Sequence, residues 1–135
     1  MTTDWRLPGL TRYADAVLLA TRLVVGAFLI FGVWDNVVSA GRMAEFARFL
    51  AAHDFPVPQL MAPLSVYAQL LVGIAFVLGL ATRIAGLVCA FKFVVALVLV
   101  DAALGVRGAY PAASLVLFGL LFATVGPGRY ALDRR

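Results

Sequence analysis

Four charged side chains stand inside stretches of sequence that otherwise read as apolar: Arg22, Asp35, Lys92 and Asp101. A charge at the centre of a bilayer costs on the order of 2.5 to 3.5 kcal/mol on insertion scales, so each must be paired, hydrated or used. At about 1.5 Å of rise per residue, Lys92 falls roughly 12 Å above the start of its apolar segment and Asp101 roughly 25 Å above it, which makes Lys92 the deep one. On a helical wheel Lys92 shares a face with Ala85, Cys89, Ala96 and Leu99, whereas Asp101, nine residues on, falls about opposite, so the two are not expected to pair. A buried ammonium with no acid at its own depth has two outcomes. Either it is satisfied structurally, by the Gln69 side-chain oxygen, by a backbone carbonyl or by snorkelling to the interface with its stem along apolar surface, or it attracts a ligand that brings an acceptor, such as a quinone head group, a lipid phosphate or a sulfur oxyanion.

In the preceding segment Ser65, Gln69, Gly73 and Phe76 form a second stripe, and the small residues of both stripes suit close helix contact. The Gln69 and Lys92 stripes are therefore expected to face one interior. Tyr67 offers a ring for stacking on a quinone or for core packing. Arg22 and Arg83 read as boundary residues reaching toward phosphate groups. Asp35, beside Trp34, falls near the end of its segment, where it meets water, accepts from Arg42 or closes a cavity mouth.

Other chemistry is missing from the residues. One His and one Cys cannot assemble a histidine-rich metal site or bis-histidine haem ligation within one chain. No glycine-rich phosphate loop occurs, and Cys89 alone cannot form a paired-thiol redox site. No metal site and no covalently bound cofactor is expected.

The elements that must position these residues follow from composition. Of 135 residues, 64% are hydrophobic and 13% charged, and mean hydropathy is +1.00. A water-soluble domain carries about twice that share of charge. The chain is thus expected to be an all-α integral membrane protein, a four-helix bundle forming a single membrane domain over 1–135. The expected spans are 16–38, 58–81, 84–103 and 111–125, the last stopped by Gly126, Pro127 and Gly128. Arg22 and Asp15 in the first apolar run argue against a cleaved signal peptide.

Between spans one and two, Met43, Phe46, Phe49 and Leu50 recur at helical spacing opposite Arg42, Glu45 and Arg48. The pattern predicts a short amphipathic helix over 41–52 lying in the interface, as a lid on the bundle or a substrate gate. His53 and Asp54 beside it are the only acid–base groups nearby. Leu19, Ala20, Thr21, Arg22 recurs as Leu80, Ala81, Thr82, Arg83, an echo that would mark a parallel duplication of two-helix units.

The net charge of +4 comes from arginines scattered at segment ends rather than gathered in a stripe, which argues against nucleic acid. The side of the termini collects Arg6, Arg12, Arg83, Arg129, Arg134 and Arg135, and the opposite side holds Arg42, Arg48 and Arg107 with Glu45 and Asp54. Positive-inside bias then places both termini in the cytoplasm.

These features together resemble the DoxX family of small bacterial membrane proteins: the Arg22 to Gly32 stretch, Phe55 to Pro58, the Gly79-Leu80-Ala81-Thr82-Arg83 turn, and the closing Gly126-Pro127-Gly128-Arg129-Tyr130-Ala131-Leu132-Asp133. The family is similar to the small membrane subunit of thiosulfate:quinone oxidoreductase, and the resemblance implies a location in the bacterial inner membrane. Members often carry a His-Gly near the end of span one followed by Lys, and a Glu in span two. Phe31, Gly32, Asp35 and Gln69 stand at the matching places, so a Lys–Glu pair across two helices is replaced here by Asp and an uncharged amide.

Three readings of function follow. The first is an accessory or anchoring subunit of a redox or sulfur-metabolism system. It holds quinone or lipid through Lys92, Gln69, Tyr67, Arg22 and Asp35, and docks a soluble redox or sulfurtransferase partner through Arg83, Arg129, Arg134 and Arg135. The second is the catalytic small subunit of a quinone-coupled oxidoreductase acting on a reduced sulfur compound. The third is a small transporter formed by a homo-oligomer.

Overall fold

In lipid no water is available to backbone N–H and C=O groups, so an apolar chain must satisfy them within helices. The computed structural model describes residues 7–132, and among them every regular element is helical. After a 3₁₀ turn at Pro8–Tyr13 come α1 (Ala14–Val38), α2 (Ala40–Ala52), α3 (Pro58–Leu78), α4 (Thr82–Leu99), a second 3₁₀ turn at Asp101–Leu104, and α5 (Gly105–Val125). Helices α1, α3, α4 and α5 are long and apolar enough to cross a membrane. The protein is an all-α membrane bundle.

The helix ends differ from expectation at two places that matter. α4 stops at Leu99, not at Ala103, because the chain leaves helical geometry at Val100 (φ −124°, ψ −61°) before the 3₁₀ turn. α5 begins at Gly105, six residues before Pro111, which lies inside it. A proline in the second turn removes one backbone bond, a loss that membrane helices tolerate. The short helix between spans one and two is present as α2, whose first turn is capped by the Ser39 side chain accepting from Arg42 N at 3.2 Å.

The bundle is built as two antiparallel pairs, α1 with α3 and α4 with α5, and these pack more closely than α3 does against α4. Glycines set the close approach within each pair. A Cβ on Gly26 would sit 2.7 Å from Gly73 O and one on Gly73 2.9 Å from Gly26 O; a Cβ on Gly119 would sit 2.6 Å from Gly86 O, and one on Gly86 would collide with Gly119 O. Small residues at such crossings let backbones touch, which is how helices associate where lipid removes the hydrophobic drive.

The four-residue echo has a structural counterpart. On α1, Arg22 Nη1 donates to Phe76 O (2.7 Å) near the end of α3. On α4, Arg83 Nη1 donates to Ala123 O (3.0 Å) and Thr124 O (2.7 Å) near the end of α5. Gly73 and Phe76 of α3 likewise recur, at the same spacing, as Gly119 and Phe122 of α5. Two like helical pairs thus make the bundle, with α2 inserted in the first connection. Their Phe76 and Phe122 rings meet edge to face at 4.8 Å, within a core that includes Leu29, Val72, Cys89 and Leu115.

Candidate functional site

The looser packing between α3 and α4 leaves a cavity of about 510 Å³ in the half of the bundle nearer α2. Gly32, Val33 and Asn36 of α1 form one wall, Ser65 and Gln69 of α3 a second, and Lys92 and Ala96 of α4 a third. Phe46, Phe49 and Leu50, the apolar face of α2, form the roof. Arg42 and Glu45 turn outward and lie 3.9 Å apart. The rim faces lipid, since Leu64 and Phe91 line the cavity yet are 57% and 72% exposed.

Gln69 and Lys92 line this one cavity, but they do not bond to each other. Gln69 Nε2 donates to Leu29 O at 2.9 Å. The missing side chain at Gly32 makes room for that amide, because a Cβ there would lie 3.1 Å from Nε2. Lys92 Nζ lies 4.6 Å from the centre of the Phe93 ring, a cation–π contact. No hydrogen bond or ion pair reaches Nζ among the described residues, so the lysine keeps its donors for whatever enters.

Asp101 corrects the helical-wheel argument. It was expected to lie opposite Lys92, a geometry that assumes α4 continues through residue 103. With the helix broken at Val100, Asp101 lines the same cavity as Lys92. The two charges are not within ion-pair distance of each other.

The other residues singled out by sequence lie elsewhere. Arg22 does not reach toward lipid phosphate. It is fully buried, with Nη1 donating to Phe76 O and Nη2 to Tyr130 O. Its charge meets the carbonyl end of α3, where the helix dipole favours a cation. Gly79, in the left-handed region at φ 70°, lies so close that a Cβ would stand 2.6 Å from Arg22 Nη1, so no other residue fits there without rearrangement.

Arg83, exposed at the same end, donates to the last carbonyls of α5. Asp35 is exposed and absent from the cavity lining, and Arg42 faces Glu45 instead. Tyr67 is 47% exposed on the outer side of α3 and neither lines the cavity nor joins the core. Arg129 holds the closing segment through its backbone N–H to Asp15 Oδ1 (3.2 Å). Arg134 and Arg135 lie outside the described residues. His53 Nδ1 sits 2.9 Å from Phe49 O and its ring packs on Phe49, which occupies it locally.

Asn36 is the cavity residue that sequence reasoning missed. Its Nδ2 donates to Arg42 O at 3.1 Å, tying the end of α1 to the start of α2. The signal was available: Asn36 falls four residues after Gly32 and seven after Leu29, on the same helix face.

Residues 17–102 match the DoxX family. The matched stretch contains every lining residue of the cavity, from Gly32 to Asp101. Nothing matches among curated proteins or among solved structures.

Proposed function

The chain belongs to the DoxX family, and on that footing we propose that it is an accessory or anchoring membrane subunit that holds quinone or lipid in the cavity beneath α2. The observation that carries this reading is Lys92, a cation without a protein acceptor, in a cavity whose remaining lining is largely apolar and whose rim meets the membrane. An amphiphile with an accepting head group supplies what the lysine lacks and leaves its tail in lipid. Gln69 is committed through its nitrogen, so its oxygen serves as an acceptor for a hydroxyl on the same ligand.

The accessory reading is favoured over a self-contained oxidoreductase by the single cysteine. Cys89 is buried, with Sγ 3.6 Å from Leu115 O, and no second thiol exists to relay electrons to a quinone. Docking of a soluble redox or sulfur-transfer partner then falls to the terminal end of the bundle, through Arg129, Arg134 and Arg135. The arginine distribution supports a cytoplasmic, bacterial inner-membrane orientation for that end.

The test is extraction of the protein from its own membrane in polymer-bounded discs, after cross-linking, with analysis of both small molecules and chains. The proposal expects a quinone or a specific lipid that survives exchange into detergent, and a soluble redox or sulfur-transfer protein cross-linked at the terminal end. Quinone reduction by the purified protein alone, above a protein-free control, would contradict the accessory role.

A further inference from the structure

Among the described residues Lys92 and Asp101 are the only charged ones that line the cavity, and neither has a hydrogen-bond or ion-pair partner there, Lys92 resting on the Phe93 ring. The site is therefore neutral overall but polarised, with the cation deep and the anion at the end near α2. A ligand of one charge would satisfy one wall and leave the other desolvated and unpaired, a costly arrangement in a low-dielectric setting. A ligand that carries both charges satisfies both.

Resting on the reading of this cavity as an amphiphile site, we infer that its occupant is a zwitterionic aminophospholipid, with the phosphate on Lys92 and the primary ammonium on Asp101. The order of groups matches from the membrane interior outward. In such a lipid the acyl chains come first, then the phosphate, then the ammonium; in the cavity the lipid-facing Leu64 and Phe91 flank the deeper Lys92, and Asp101 follows beyond the end of α4. Nine residues separate the two charges along the chain, and α4 ends between them at Leu99.

The amides fit the same occupant. The nitrogens of Gln69 and Asn36 are already given to Leu29 O and Arg42 O, leaving their oxygens as acceptors. An ammonium offers three donors, and Asn36, in the last turn of α1, lies at the same end of the bundle as Asp101. The apolar face of α2 above the head group lowers the local polarity, which strengthens each charged contact.

The experiment places the full chain in mixed micelles containing equal amounts of phosphatidylethanolamine, phosphatidylglycerol and a ubiquinone, and reads the retained molecules by native mass spectrometry. Wild type is expected to retain phosphatidylethanolamine over phosphatidylglycerol. Asp101→Asn is expected to lower the ratio of the two about tenfold, the loss of one charge-assisted hydrogen bond. Equal retention of both lipids by wild type overturns the inference whether or not the variant folds, as does a ratio unchanged in Asp101→Asn. Retention of ubiquinone with neither lipid overturns it while leaving the amphiphile site standing. Retention of nothing removes the amphiphile site itself. Displacement of the lipid by free phosphoethanolamine at equal concentration assigns the head-group chemistry to a solute and overturns the lipid assignment.

Discussion

Lys92 and Asp101 line one cavity without pairing. The break at Val100 brings the carboxylate back from beyond the end of α4, and the lysine rests on the Phe93 ring with its donors unused. Two opposite charges held apart in a largely apolar space is an arrangement that folding alone disfavours, since joining them or replacing them with apolar residues would cost less. That is the physical ground for treating the cavity as a site.

It follows that Lys92→Met leaves the protein at least as stable as wild type, because a half-buried cation with no hydrogen-bond or ion-pair partner is exchanged for an apolar side chain of similar length. Thermal unfolding in detergent checks this. A variant that loses stability or fails to accumulate would show that Lys92 is a structural contact.

Arg22→Met has the opposite expected outcome. Two backbone carbonyls lose their donor, Phe76 O within the buried core and Tyr130 O at its edge, at a cost of about 2 kcal/mol. The segment after Gly126 is pinned by this arginine together with Leu132 N on Leu78 O at 3.2 Å, so limited proteolysis of the variant should cut there first.

Replacement of Gly119 by alanine forces α5 away from α4, because its Cβ would sit 2.6 Å from Gly86 O and 2.9 Å from Ala90 N. The expected destabilisation is about 2 kcal/mol, with valine worse. Gly9→Ala, where nothing lies within 4 Å, is the control and should stay within about 0.5 kcal/mol. Unfolding in a denaturing detergent compares the two.

Cys89 has no exposed surface and should react with maleimide only after the bundle opens. Its labelling rate therefore reports on separation of α4 from α5. Labelling of the folded protein at the rate of a free thiol would contradict the packing of this pair.

Arg83→Ala uncaps α5 and should cost about 1 kcal/mol, since a cation serves its last three carbonyls. The same variant should leave cross-linking to a soluble partner unchanged, because the guanidinium is already engaged. Loss of the partner with stability intact would restore Arg83 as a docking residue.

The membrane bundle was legible because lipid as solvent leaves a strong compositional trace, and α2 because its apolar face is periodic. The shared interior of Gln69 and Lys92 was legible from two stripes of small residues. Asp101 was misplaced because a wheel presumes an unbroken helix, and nothing in the run from Phe91 to Ala103 announces the break at Val100. Arg22 was read as a lipid-facing boundary residue since its partners are backbone carbonyls 54 and 108 positions away, which no pattern of side chains encodes. Tyr67 has a ring of the right kind but stands on the outer side of α3, and the rings that reach the cavity belong to Phe46, Phe49, Phe55 and Phe91.

The most direct test is native mass spectrometry of wild type and Lys92→Met, each released gently from its own membrane. The account predicts a quinone or a defined phospholipid retained by wild type and lost from a Lys92→Met protein of undiminished stability. Equal retention by both proteins, or a wild type that emerges bare, would contradict the claim that the cavity beneath α2 is a ligand site.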